Sequence, residues 1–180
     1  MRAKIHMLRA NWTPLSIGGA DTQELSERIE KMLQSWEGTK YVSGQRFKGE
    51  GADCIGFGFA AIDEIDGRER AASPSLPADT ALHNPDTARQ AVKDIRRLYA
   101  PARLIRPAKR GLTNLQPLDI LVVGPSAGGP GHLMLVGPQR NTIWHCIQNS
   151  GVSRTGWGLT TGFERLQGVY RLGDRERWLR

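Results

Sequence analysis

The sequence predicts an α+β domain in which N-terminal helices pack on an antiparallel β-sheet. Three observations carry this reading. Leu25, Ile29, Met32, Leu33 and Trp36 form one apolar stripe at helical spacing. Residues 54–66 form a second, almost wholly apolar helix that follows a glycine-rich loop. From residue 118 the pattern changes to short apolar runs broken by turn residues, which reads as strands and hairpins. The chain has 180 residues, enough for one domain with a sizeable core.

Residues 1–20 show no periodicity and read as an N-terminal arm, an added strand or a docking segment. Their start is basic but lacks the 7–15 apolar residues of a secretory signal, so cytoplasmic synthesis is expected. Asp21 and Glu24 fit a capping box that opens the first helix, and Gly38 ends it. Residues 37–53 read as a loop punctuated by Gly38, Gly44, Gly49 and Gly51. Asp53 is a good N-cap for the second helix, and Gly67 stops it.

Residues 67–117 read as an excursion flanking a cleft. A Pro-rich loop comes first. A helix then runs from the Asn84-Pro85-Asp86 start to about Tyr99, followed by a basic, turn-rich stretch over 101–117. Ile120 to Val123 is near-continuously apolar and reads as a central strand. Gly124 to Gly131 connects it to the strand 132–136. This connection lacks the Gly-Lys-Ser/Thr ending of a phosphate-binding loop. Residues 137–141 turn the chain into the strand 142–147. Shorter strands follow at 152–156 and 168–172, before a basic tail at 173–180.

Composition narrows the function classes. The chain is 39% hydrophobic and 24% charged, and no run approaches the roughly 18–20 apolar residues of a membrane span. The net charge of +7 suits an anionic partner, with Arg171, Arg175, Arg177 and Arg180 in the last ten residues as the plainer source. The basic stripe with interleaved aromatics of a nucleic-acid binder is missing, so no nucleic-acid partner is expected. The two cysteines, Cys54 and Cys146, make no disulfide framework, and the four histidines show no metal-ligand spacing. No metal and no cofactor is expected.

Cys54 falls at the first helical position after Asp53. Free N–H groups and the helix dipole there favour an anion, so its thiol pKa is expected to fall and the thiol to act as a nucleophile. The plainer alternative is a small buried cysteine that starts a core helix. A thiol nucleophile needs a base and a group that orients the base. His132, at a strand start, is the candidate base, and His145 is the candidate orienter. With His145 pointing at the cleft, strand alternation puts Trp144 and Cys146 on the opposite face, which makes Cys146 a core thiol and not a second nucleophile.

Two groups of residues resemble the NlpC-type family of bacterial cell-wall cysteine peptidases, which are papain-like. The first is Trp36-Glu-Gly38-Thr39-Lys40-Tyr41, then Gly51-Ala52-Asp53-Cys54-Ile55-Gly56-Phe57. The second is Leu118-Asp119 entering a strand, Gly131-His132 opening the next, and His145 one hairpin later, thirteen residues after His132. That spacing is one residue more than the family's usual hairpin. The resemblance covers about residues 22–172, and the long segment after the helix is most similar to peptidases of phage tails and gene-transfer particles.

The resemblance implies a papain-like fold and hydrolysis of peptidoglycan stem peptides at a γ-D-glutamyl–diamino acid bond. It implies Cys54 as nucleophile, His132 as base and His145 as orienter. Tyr41 and Asp53 would shape the substrate and oxyanion site, with the Cys54 N–H and the Tyr41 hydroxyl as donors. Peptidoglycan or its peptides would be the partner, reached as part of a virion or tail-like particle together with other particle proteins. Two departures stand out. Ile55 replaces the family serine that helps hold a free amino terminus, and Lys40 replaces the proline before the tyrosine. The alternatives are an amidase or acyltransferase on the same scaffold, and a structural assembly protein that does not use the chemistry.

Overall fold

A computed structural model of the chain describes residues 11–12, 20–67, 102–105, 113–123, 132–156 and 166–172. In order, these form β1 (Asn11–Trp12), α1 (Ala20–Gln34), β2 (Arg46–Phe47), β3 (Gly51–Ala52), α2 (Cys54–Asp66), β4 (Ala102–Ile105) and β5 (Thr113–Leu115). Then come β6 (Ile120–Val123), β7 (His132–Val136), β8 (Thr142–Ile147), β9 (Gly151–Gly156) and β10 (Leu166–Leu172). The main sheet has six antiparallel strands in the order β4-β10-β6-β7-β8-β9. This is the α+β arrangement that the sequence predicts.

The helix α2 is built as its sequence dictates. Asp53 caps it by accepting from the Ile55 and Gly56 N–H groups. Gly67 ends it in the left-handed conformation, with its N–H returned to the Asp63 and Glu64 carbonyls. Between these ends, α2 is buried along most of its length, between α1 and the sheet. Leu25, Ile29, Leu33 and Trp36 of the first helical segment meet Phe57, Phe59 and Ile62 in one cluster with Val122, Leu133, Leu135, Trp144 and Cys146 of the sheet. Burial of each such large side chain contributes about 1.5–3 kcal/mol. Gly58 lets α2 approach closely, since a Cβ there would lie 2.5 Å from a Leu133 methyl.

The other sheet face carries a second cluster of Leu115, Leu121, Val123, Met134, Val136, Ile143 and Val169. Residues on β6 and β7 therefore alternate between two buried faces, which explains why β6 reads as continuously apolar. The period-two alternation on β8 is as expected, but it puts Cys146 and not His145 on the face that Cys54 shares. Trp144 and Cys146 face the helices, and His145 faces the other way.

The first helix begins at Ala20, so Asp21 stands inside its first turn and is not the cap. The loop 37–53 holds the small β2–β3 hairpin. The stretch 101–117, expected to be turns, contributes β4 at the sheet edge and β5, which pairs with β1 of the N-terminal arm. The other expectations for 67–117, for 124–131 and for 173–180 lie outside the described residues. Arg171, counted with the basic tail, belongs to β10 and is neutralised. Its guanidinium donates to both Asp119 oxygens, at 2.9 and 2.7 Å, and Asp119 is fully buried. Leu118 precedes Asp119 with φ 60°, a left-handed conformation that a glycine would adopt freely.

Candidate active site

Trp36 anchors the loop that leads to Cys54. Its indole stands edge-on to Phe57 at 5.6 Å and donates to Glu64 of α2 at 2.8 Å. Beyond it, Gly38 N–H bonds the Val152 carbonyl and Val152 N–H bonds the Thr39 carbonyl, which ties the loop to β9. Lys40 and Val42 then bracket Ala52 through two backbone bonds, at 3.0 and 2.9 Å. Tyr41 is thereby held beside the Asp53-Cys54 corner, half-buried against the helix-side core.

Asp53 spends its carboxylate on backbone. One oxygen takes the Ile55 and Gly56 N–H groups, and the other takes Gly44 N–H at 2.7 Å. Its own N–H bonds the Gln45 carbonyl. Asp53 therefore locks the glycine loop onto the start of α2. Gly56 is part of that lock, because a Cβ there would stand 2.0 Å from the Gln45 carbonyl oxygen.

Cys54 is 3% exposed, with its sulfur against the sheet at the Leu133 N–H. The expectation of an exposed, acidic thiol is corrected here. Burial is the largest influence and pushes the pKa well above its ordinary value. The Asp53 carboxylate raises it further, and the Leu133 N–H and Cys54's own N–H oppose only in part. The helix start acts less than expected, because the Asp53 carboxylate occupies the Ile55 and Gly56 N–H groups and sets a negative charge beside the sulfur. Cys146 is a second core thiol. It donates to the Ala52 carbonyl at 3.0 Å, and burial followed by Asp53 pushes it up to about 12. Tyr41 is also raised, by burial first and then by the nearby Cys54 and Asp53.

His132 directly precedes Leu133, whose side chain joins the helix-side cluster with Cys54. Strand alternation therefore turns His132, with Val123 and Met134, to the other sheet face, and the structure does not bring it to Cys54. Its Nε2 stands 3.1 Å from His145 Nδ1, with the rings tilted at 59°. The extra residue of the hairpin therefore does not separate them. Burial and the neighbouring His145 lower the His132 pKa to about 3, and burial lowers that of His145. His145 is 6% exposed, and its Nε2 has no partner among the described residues. Among the described residues, no group of His, Cys, Asp and Glu could hold a metal ion.

A cavity of about 370 Å³ is lined by Gly38, Lys40, Tyr41 and Gln148 to Gly151. The sequence reading missed the β8–β9 turn as one of its walls. The signal was the Asn149-Ser150-Gly151 turn, which reads only as a connection until the loop at Gly38 is seen to pack on it. Ile55 is 4% exposed and faces the core, so the position that carries a serine in the resembling family presents nothing to a ligand here.

No protein-family model matches the sequence, and no curated protein matches it. Among solved structures, the chain is similar to NlpC2 from Trichomonas vaginalis. The two share 16% identity with a TM-score of 0.53 over 89% of this chain and 49% of that one. The chain thus spans about half the length of that structure. It also matches the NlpC/p60 domain of the peptidoglycan hydrolase SagA, at 18% identity and a TM-score of 0.44, covering 81% of this chain and 97% of that one. With two helices laid on an antiparallel sheet and Cys54 at the start of the buried one, the chain has the α+β, papain-like fold of the NlpC type.

Proposed function

We propose that the chain is a cysteine peptidase of the NlpC/p60 family that hydrolyses peptidoglycan stem peptides at the γ-D-glutamyl–diamino acid bond. One observation carries this. Cys54 follows the Asp53 cap at the start of α2 and meets β7 at the Leu133 N–H, and the same strand opens one residue earlier, on its other face, with a histidine pair joined at 3.1 Å. The substrate follows from the resemblance of the two sequence motifs. The peptidase unit is residues 21–172, with 1–20 as its arm, and a virion or tail-like particle would bring it to the wall.

In this reading the resting site is neutral, with a protonated Cys54 thiol and unprotonated imidazole pair. Substrate binding brings the scissile carbonyl to the sulfur. In this reading the start of β7 turns the His132 ring to Cys54 when substrate binds; His132 then takes the thiol proton as the S–C bond forms, and the carbonyl electrons move to the oxygen. The Cys54 N–H and the Tyr41 hydroxyl meet that oxyanion. Collapse breaks the C–N bond, and His132 returns the proton to the leaving amine. Water then attacks the thioester, with His132 again as base, and frees Cys54. His145 holds the His132 ring throughout.

The burial of Cys54 is the observation that favours the structural alternative, a particle protein that keeps the fold without the chemistry. Incubation of purified protein with muropeptides, followed by mass spectrometry, separates the readings. Hydrolysis leaves new free termini, acyl transfer leaves new cross-links, and an unchanged pattern leaves the structural reading.

A further inference from the structure

The cavity beside Tyr41 has no part in the bond-breaking steps, yet its walls are built with care. Gly151 has φ 68°, and a Cβ there would stand 2.2 Å from the Thr39 carbonyl oxygen. Only glycine lets the β8–β9 turn close on the loop at this point. Asn149, at φ 80°, gives the turn its second left-handed residue. The two backbone bonds between Gly38-Thr39 and Val152 fix the distance between the walls.

The charge of this cavity is one-sided. Among the described residues, Lys40 is the only charged one lining it, and Gln148, Asn149 and Ser150 add amide and hydroxyl groups. Lys48, Arg154 and Arg171 each hold a carboxylate, on Glu64, Glu30 and Asp119. The Lys40 ammonium has no such partner among the described residues, and it is exposed beside the cavity. Tyr41 forms the wall shared with the nucleophile: it lines the cavity, and its hydroxyl pKa is raised by burial first and then by the nearby Cys54.

We infer that this cavity is a subsite for a free carboxylate of the substrate, with Lys40 supplying the charge and the Gln148–Ser150 turn supplying neutral donors. The inference rests on the peptidase reading for its substrate and deepens it. A γ-linked glutamyl residue keeps its α-carboxyl free, and a diamino acid carries carboxyl groups of its own. Either could be the group bound. Selection by a lysine is lost when that carboxyl is amidated, because the charge goes while the shape stays.

The test uses four stem peptides, with the glutamyl carboxyl and the diamino acid carboxyl each either free or amidated. kcat and KM are measured for each with the wild-type chain, Lys40→Gln, Lys40→Glu and Lys40→Arg. The expected result is a KM about fivefold lower for one free carboxylate than for its amide, the upper range for an exposed pair. Lys40→Gln should bring that ratio near one, Lys40→Glu should invert it, and Lys40→Arg should restore it. The position of the selective carboxyl identifies which side of the bond the cavity holds. A wild-type chain indifferent to amidation, or a Lys40→Gln variant that keeps the full preference, overturns the inference while leaving the peptidase reading intact. If no peptide is cleaved, the peptidase reading fails, and calorimetric binding to Cys54→Ala decides the subsite. A carboxylate preference erased by a second substitution, Lys40→Gln, upholds it, and equal binding of all four peptides overturns it.

Discussion

His132 Nε2 and His145 Nδ1 stand 3.1 Å apart on neighbouring strands, so these two nitrogens share one proton between them. For His132 to act as base toward Cys54 its Nδ1 must be bare, so Nε2–H donates to His145 Nδ1. His145 then carries its own proton on Nε2, which has no partner among the described residues. His132→Ala should lower kcat about 10³-fold or more, as much as loss of the nucleophile, because the two act as a unit. His145→Ala should cost on the order of 10²-fold, since it holds the base without taking the proton. Steady-state kinetics on one stem peptide checks both. A His145→Ala variant at the wild-type rate would move the orienting role to another residue.

The same pair makes folding sensitive to acid. Both imidazoles sit below the ordinary value of 6.5, His132 at about 3. As pH falls below 6.5, the unfolded chain takes up protons that the folded chain refuses, so stability declines from pH 6.5 toward 3. The thiols act at the other end. Cys54 and Cys146 are raised above 9.0, so the unfolded chain loses protons first and stability falls as pH rises past 9. Melting temperatures measured across pH should show a plateau between about 6.5 and 9, and His132→Asn should flatten the acid limb. A melting temperature that rises on acidification below 6.5 would contradict the buried, neutral pair.

Thiol labelling reads the environment of Cys54 without any substrate. With the thiol buried and its pKa raised, iodoacetamide at neutral pH should modify Cys54 in the folded chain more slowly than in denaturant. Cys146, fully buried and bonded to the Ala52 carbonyl, should be slower still. The rate at Cys54 should climb with pH well beyond 9. Rapid labelling of Cys54 near pH 6 would mean that an exposed thiolate exists at rest. Peptide mapping by mass spectrometry separates the two sites.

The Asp119–Arg171 pair should be the fold's most sensitive electrostatic contact. Arg171→Leu leaves a fully buried carboxylate without its bidentate partner. The expected loss is about 3–5 kcal/mol in denaturant unfolding. A loss under 1 kcal/mol would mean that the Gln116 N–H, which also donates to Asp119, suffices.

Much of this was legible in the residues themselves. Asp53 and Gly67 mark both ends of α2, because caps are local chemistry. The runs at Ile120, His132 and Thr142 mark their strands, because β6, β7 and β8 are joined in sequence order and buried on regular faces. The strand β4 was not legible, since its partner β10 lies more than sixty residues away, and neither was β5, which pairs with β1 of the arm. Arg171 read as part of a charged tail for the same reason: its partner Asp119 is 52 residues away. The thiol of Cys54 misled most. Its position at a helix start is a local fact that lowers a pKa, whereas the burial that raises it comes from α2 packing on Leu133 and Trp144. Leu118 shows the reverse, a residue whose left-handed backbone no local preference would suggest.

The most direct test of the central claim is mass spectrometry of γ-D-glutamyl–diamino acid stem peptides after incubation with wild-type chain and with Cys54→Ala. The account predicts new termini at the γ-D-glutamyl bond with wild type. It predicts a rate lower by about 10³-fold or more in the alanine variant, which should melt near the wild-type temperature. Intact peptides after prolonged incubation with wild-type chain, or equal cleavage by Cys54→Ala, would contradict it.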